Sequence, residues 1–138
     1  MKILIDTNIL IDFISVRENY FENAKNIIMA CKNEQVEGCI AAVSVSNIFY
    51  ILRNNVPEHQ RRDMLKKLCK IVTVIGIDKI KLLSALNNDD FTDFEDCLQS
   101  ECAYEYGADY IVTRNVKDFK ESKVRAITPG EFLKLLNS

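Results

Sequence analysis

The chain has 138 residues, 48% of them hydrophobic and 28% charged. This ordinary globular composition excludes a disordered or fibrous chain and fits one domain, residues 1–138, with a core of its own. Eighteen basic against 20 acidic residues leave a net charge of −2. That excludes nucleic-acid binding by bulk positive charge, but not a local basic patch or a contact assisted by metal ions. Five cysteines, at 31, 39, 69, 97 and 102, form no C-x-x-C pair and stand beside a single histidine, His59. Neither a zinc site nor a disulfide framework has its spacing, and five free thiols point to a reducing, cytosolic compartment. The opening Met1–Asp6 carries a carboxylate where a signal peptide needs an apolar stretch, and no apolar run approaches the roughly 18 residues of a membrane span. Four glycines and two prolines argue against a turn-rich sandwich or barrel.

In chain order, Lys2–Ile5 reads as a first buried strand, followed by a short apolar helix over Asn8–Ile14. Tyr20–Asn33 carries Phe21, Ala24, Ile27, Ile28 and Cys31 at helical spacing. Cys39–Ala42 is a second strand, and Val45–Arg53 a helix with Ser44 as its expected N-cap. The polar break Arg53–Gln60, with Pro57, reads as a helix–helix connection, and Glu58–Lys70 as a mixed basic helix. A third strand is expected over Ile71–Ile75 and a helix over Asp78–Leu86. The helix Asp93–Tyr106 ends before Gly107, a C-cap signal. Tyr110–Thr113 is a fourth strand and Lys123–Ile127 a weaker fifth. Thr128-Pro129-Gly130-Glu131 opens the last helix with a cap, a proline at the first helical position and a glutamate three residues beyond the cap. Near-continuous apolar strands alternating with helices predict an α/β fold, a three-layer α/β/α sandwich around a central, mainly parallel sheet of about five strands. Ligands of such sheets bind beyond the carboxyl ends of the strands.

The chemistry-bearing residues fall at those ends. Asp6 follows the first strand directly, where it is either a helix cap or a functional carboxylate. Asp89, Asp90, Asp93, Glu95 and Asp96 crowd five acids into eight residues. Thr92 and Glu95 fit a capping box, which accounts for part of this cluster. Asp93 and Asp96, at i and i+3 on one face, repel each other unless a cation lies between them. No Lys or Arg is near in sequence, so a divalent metal is the simple candidate. Asn47 projects from the first turn of its helix toward the same edge, with a weak capping arrangement as the competing account. Thr113 and Asn115 end the fourth strand, where turn chemistry competes with a role at the site. Arg114 is either a phosphate contact or a solvated arginine, and Asp118 either an edge acid or plain loop. Oxygen ligands aimed from several strand–helix junctions at one edge suit metal-dependent phosphodiester hydrolysis. No Gly-rich phosphate loop or Ser/His/Asp arrangement competes.

Ile3-Leu4-Ile5-Asp6-Thr7-Asn8 with Asp12, then Asp93-Phe94-Glu95-Asp96, then Val112-Thr113-Arg114-Asn115 with Asp118-Phe119, resemble the PIN domain in this order. The nearest branch is the small single-domain bacterial PIN proteins, such as VapC toxins. The resemblance runs over nearly the whole chain. It implies Mg²⁺- or Mn²⁺-dependent RNA cleavage, in which a metal-activated water attacks the phosphate to leave a 5′-phosphate and a 3′-hydroxyl. It implies Asp6, Asp93 and Asp96 as metal ligands, Asn47 and Asn115 as supporting ligands, a homodimer and, for a toxin, a small antitoxin covering the site. Two positions depart from the family's pattern. Asn47 stands three residues after Ser44 where a Glu is usual, and Asn115 stands where an Asp is frequent. Neutral amides there weaken metal binding unless Asp93, Glu95 or Asp118 compensates, and they favour the alternative of a non-catalytic PIN-like module that binds RNA or protein. A phosphotransfer site with Asp6 as nucleophile is a third reading, but Asn8 occupies the place of the second Asp such a site needs.

Partner surfaces are less legible. Arg61–Lys67 is the best local positive patch, either a solvated face or an RNA-backbone contact. Tyr20, Phe21, Phe49 and Tyr50 serve either the core or an interface.

Overall fold

A computed structural model describes residues 1–138. Five strands, β1 (Lys2–Ile5), β2 (Glu37–Ala41), β3 (Thr73–Ile75), β4 (Tyr110–Val112) and β5 (Ala126–Ile127), form one sheet in the order β3-β2-β1-β4-β5. Every pairing is parallel, with Leu4 beside Cys39 on one flank and Ile111 on the other. Seven helices connect and cover the strands: α1 (Thr7–Ile14), α2 (Phe21–Lys32), α3 (Ala42–Ile51), α4 (Glu58–Ile71), α5 (Lys79–Leu86), α6 (Phe94–Tyr106) and α7 (Pro129–Leu136). The expected three-layer α/β/α sandwich is present. No helix is long and apolar enough to cross a membrane.

The two-residue period of the strands divides the core. Ile3 and Ile5 of β1 join Ile40 and Val112 in a large cluster with side chains of α1, α2, α3, α4 and α7. Leu4 points to the other face, where Cys39, Ala41 and Ile111 meet Cys102 and Ala103 of α6. Four of the five cysteines lie inside this packing as buried free thiols; Cys69 is exposed.

Several boundaries differ from the expectation, each for a local reason. The second strand ends one residue early and α3 begins at Ala42, because Ala41 turns the chain without any side-chain cap. Ser44 is therefore no N-cap but a buried residue of the first turn of α3. Ile71 closes α4 instead of opening β3, and Val72 takes the extended conformation between them. Only Ala126 and Ile127 of the fifth candidate strand pair. Gly107 ends α6 with φ +75, the left-handed position that glycine adopts without a Cβ clash.

Strand β1 is flanked by β2 on one side and β4 on the other, so connections leave its carboxyl end in opposite directions. A crevice opens at such a switch point. Asp6 directly follows β1, at that point.

Candidate active site at the carboxyl edge

Asp6 takes the N-cap position of α1 by backbone conformation, yet its side chain caps nothing. That disposes of the capping account. The carboxylate is 5% exposed, with Oδ2 accepting from Thr113 Oγ1 at 2.7 Å and Oδ1 from Gln99 Nε2 at 2.8 Å. Both donors are neutral. Burial pushes its pKa up, and the two side-chain hydrogen bonds hold it partly down. Thr113, the last polar residue of the β4 edge, is itself fully buried and accepts from the Asn115 backbone N–H at 3.0 Å. It serves the site, not a turn alone.

Gln99 is 1% exposed on the inner face of α6. Its Oε1 accepts from the Thr7 backbone N–H at 3.3 Å, and Nε2 lies 3.5 Å from Asp96 Oδ1 as well as against Asp6. The amide thus spans two carboxylates that are far apart in the chain. Its orientation is fixed, because reversing it would set an oxygen against Asp6. Sequence reasoning missed this residue. The available signal was a Gln three residues after Asp96, on the same helix face.

The acid cluster of α6 is arranged differently from the capping box expected at Thr92. Asp93, not Thr92, is the N-cap, accepting the Asp96 backbone N–H at 3.0 Å through Oδ1. Glu95 is released from any capping duty and turns into the site. Its Oε2 accepts from Asn47 Nδ2 at 2.6 Å, and its Oε1 lies 3.0 Å from Thr7 Oγ1. Thr7 Oγ1 also lies 2.7 Å from Ser44 Oγ. A hydroxyl carries one proton, so Thr7 donates to the charged carboxylate and leaves Ser44 to donate to it. Asn47 accordingly acts as an orienting donor to Glu95. Burial raises the Glu95 pKa, the Thr7 and Asn47 hydrogen bonds oppose that, and the charges of Asp93 and Asp6 add to it.

Asp96 is the most perturbed carboxylate. Burial first, then the charges of Asp6, Asp93, Asp118 and Glu95, push it up to about 7. None of these five acids takes part in a salt bridge. The cluster is thus a concentration of unneutralised charge on hard oxygen donors. No trio of His, Cys, Asp or Glu side chains converges as a finished ligand set. A hydrated Mg²⁺ or Mn²⁺ needs only one or two carboxylates and keeps several waters. Asp6 and Asp96, spanned by one amide and without any cation, fit that requirement.

The remaining sequence candidates separate from the cluster. Arg114 is neither solvated nor free: it forms a forked pair with Asp12, Nε to Oδ2 at 2.7 Å and Nη2 to Oδ1 at 3.2 Å. Asn115 is exposed, and only its backbone joins the network. Of the basic stretch in α4, Arg61 is buried and donates to the Val56 and Phe49 carbonyls, while Arg62 and Lys67 pair with Glu58 and Asp63. Apart from Arg61, the basic residues of that stretch form a solvated face. Phe21 stacks on Phe13 with ring centroids 5.9 Å apart, and the Arg61 guanidinium covers Phe49.

Comparison with known proteins bears on the family and the fold. A family model described as PIN domain matches residues 2–117. No curated protein is similar to the chain at the level of sequence. Among solved structures, a toxin–antitoxin complex from Klebsiella pneumoniae is 24% identical, with a TM-score of 0.67 over 91% of this chain and 96% of that one. DNA-bound VapBC from Salmonella typhimurium is 16% identical, with a TM-score of 0.68 over 94% and 98%. VapC20 of Mycobacterium tuberculosis, a toxin that cleaves the sarcin–ricin loop, is 12% identical, with a TM-score of 0.64 over 79% and 86%.

Proposed function

The chain belongs to the PIN domain family, and from that premise we propose that it is a metal-dependent endoribonuclease, the toxin of a cytosolic toxin–antitoxin pair. The observation that carries this reading is the unneutralised carboxylate cluster of Asp6, Glu95 and Asp96 at the switch point of the sheet. Asp6 and Asp96 would hold a Mg²⁺ or Mn²⁺ ion, with Asp93 beside them at the N-terminus of α6. A bound divalent cation supplies charge stabilisation for the scissile phosphate and makes a water nucleophile available near neutral pH.

The protein's own contribution is placement. Thr113 and Gln99 fix both oxygens of Asp6 without neutralising it. Asn47 and Thr7 aim Glu95, the second acid that α6 supplies. Asn47 thus acts as a donor to Glu95 in place of the ligand role expected for it, and Asn115 meets Thr113 through its backbone alone. With a pKa near 7, Asp96 exchanges a proton readily near neutral pH when no cation is bound.

The likeness to toxin–antitoxin complexes supports an antitoxin partner. An apolar groove between α1, α2 and α4, about 400 Å³ and rimmed by Lys32, Lys67 and Lys70, suits an acidic amphipathic segment of an antitoxin. Exposed Ile80, Leu83 and Leu86 on α5 offer a second copy of the chain an apolar face.

The test is cleavage of a mixed structured RNA in Mn²⁺, Mg²⁺ or EDTA, beside Asp96→Asn. Metal-dependent cutting that the variant loses is the expected result. RNA binding without cutting in any of the three conditions would replace the nuclease by a non-catalytic binding module, the reading that the neutral Asn47 and Asn115 favour.

A further inference from the structure

Beside the acid edge lies a second cleft, of about 440 Å³, between the α1–α2 loop, the end of β4 and the start of α7. Its size is that of a small-molecule site. Its lining is polar, with Asn19, Asn23 and Asn115 around Arg114 and Tyr20. Arg114 is fixed in place. Asp12, which is fully buried, grips its Nε and Nη2, and the guanidinium carbon sits 4.2 Å from the centroid of the Tyr20 ring. Nη1 has no protein partner.

This arrangement goes beyond what the fold requires. Asp12 needs the fork of Arg114 to offset its burial, but it does not need Tyr20, a residue 46% exposed that lines the cleft. The loop that carries Tyr20 is strained: Val16, a β-branched residue, has φ +51, and Asn19 has φ +73. The Arg17 backbone N–H to the Asp12 carbonyl, at 3.0 Å, ties that loop to the same aspartate. Asp12 and Arg114, the two charged residues of the lining, offset each other. A phosphodiester is therefore not repelled here as it is by the bare carboxylates next door. The two sites are contiguous, since Asn115 lines the cleft and its backbone donates to Thr113, the residue that anchors Asp6.

We propose that this cleft is a subsite for one unpaired nucleotide of an RNA strand whose scissile phosphate lies over the acid edge. The proposal rests on the ribonuclease reading and deepens it. Single-stranded RNA is recognised by stacking of splayed bases on aromatic or guanidinium planes and by hydrogen bonds to base edges. The Tyr20–Arg114 pair is the plane, the Asn19 and Asn23 amides offer both donors and acceptors to a base edge, and Arg114 Nη1 is the donor to phosphate.

The experiment uses the full chain, ¹⁵N-labelled, with each of the four 5′-mononucleotides in EDTA. The expected result is shifts at the Asn19 and Asn23 side-chain amides and at Arg114 Nε, largest for one base. In parallel, Tyr20→Ala and Asn23→Leu are compared with wild type for affinity toward a short single-stranded RNA and for Mn²⁺ affinity by calorimetry. Tyr20→Ala should weaken RNA binding about tenfold, the lower end of what stacking one base contributes, and Asn23→Leu roughly three- to tenfold, as the loss of a hydrogen bond does, with Mn²⁺ affinity unchanged. Asn23→Leu leaves the Asp12–Arg114 fork intact, so it stays informative where Tyr20→Ala loosens the loop. Nucleotide shifts confined to other surfaces, or wild-type RNA affinity in both variants, would overturn the subsite. Loss of the nuclease reading shows itself separately: no metal-dependent cutting, with the cleft shifts still present, removes catalysis and leaves the nucleotide site standing.

Discussion

Asp6 and Asp12 are both buried, six residues apart on one short stretch of chain, and the protein treats them in opposite ways. Asp12, fully buried, receives the forked guanidinium of Arg114 and lies 3.8 Å from Arg17. Asp6, at 5% exposure, receives a hydroxyl and an amide. A cation makes a buried carboxylate structural, because its charge is already matched. Neutral donors hold a carboxylate in place and leave its charge for something else. On the proposed reading, charge availability, more than burial, distinguishes the metal-binding acid from the structural one.

Exchanging each acid for its amide breaks this comparison most strongly. Asp6→Asn should reduce RNA cleavage by more than the roughly 10–100-fold that outer partners of a metal site contribute. Its melting temperature should hold or rise, because a buried charge without a counterion is removed. Asp12→Asn should do the reverse to stability, costing about 3 kcal/mol by leaving Arg114 without its counterion. Thermal or urea unfolding of the two variants decides the matter, and equal losses would show that the two acids are not distinct in kind.

The pH dependence follows with a definite sign. Asp96 is raised from its ordinary 3.8 to about 7 by burial and by its acidic neighbours. Between these values the folded protein holds a proton that the unfolded chain has released. Stability therefore falls as pH rises from about 4 to about 7 and levels off above. In EDTA the melting temperature should be lower at pH 8 than at pH 5. Asp96→Asn should flatten that slope, and Mn²⁺ should raise the melting temperature more at pH 8 than at pH 5. A melting temperature that rises across this window would mean that a cation of the protein neutralises the cluster.

The smallest effect is expected at Asn47. Asn47→Ala removes one donor from Glu95 Oε2 and leaves Thr7 on the other oxygen. Cleavage should drop by about tenfold, the lower end of what an outer partner of a metal site contributes, because Thr7 still holds Glu95, with little change in stability. A loss as large as that of Asp6→Asn would make Asn47 a direct participant.

The strands and the helical spacing were legible because they rest on local periodicity, and the order of the polar strand ends was enough to locate the edge. The capping arrangements were less so. Thr92 and Asp93 are both good N-caps in sequence, and the choice between them decides whether Glu95 caps a helix or enters the site. Similarly, Ser44 has the composition of a cap and the position of a buried network residue. Gln99 carried almost no signal, since a glutamine in a helix is usually a solvated one.

The amino-acid sequence alone determined the parallel α/β sandwich and the set of acids at its carboxyl edge, because strand and helix periodicities act over a few residues. The tertiary structure decided which acid met a cation and which met an amide. Those choices depend on contacts 93, 102 and 107 residues apart in the chain, Gln99 to Asp6, Arg114 to Asp12 and Thr113 to Asp6. Burial makes each of them matter, since an unmatched charge is costly away from water, and only the assembled sheet brings those residues within reach.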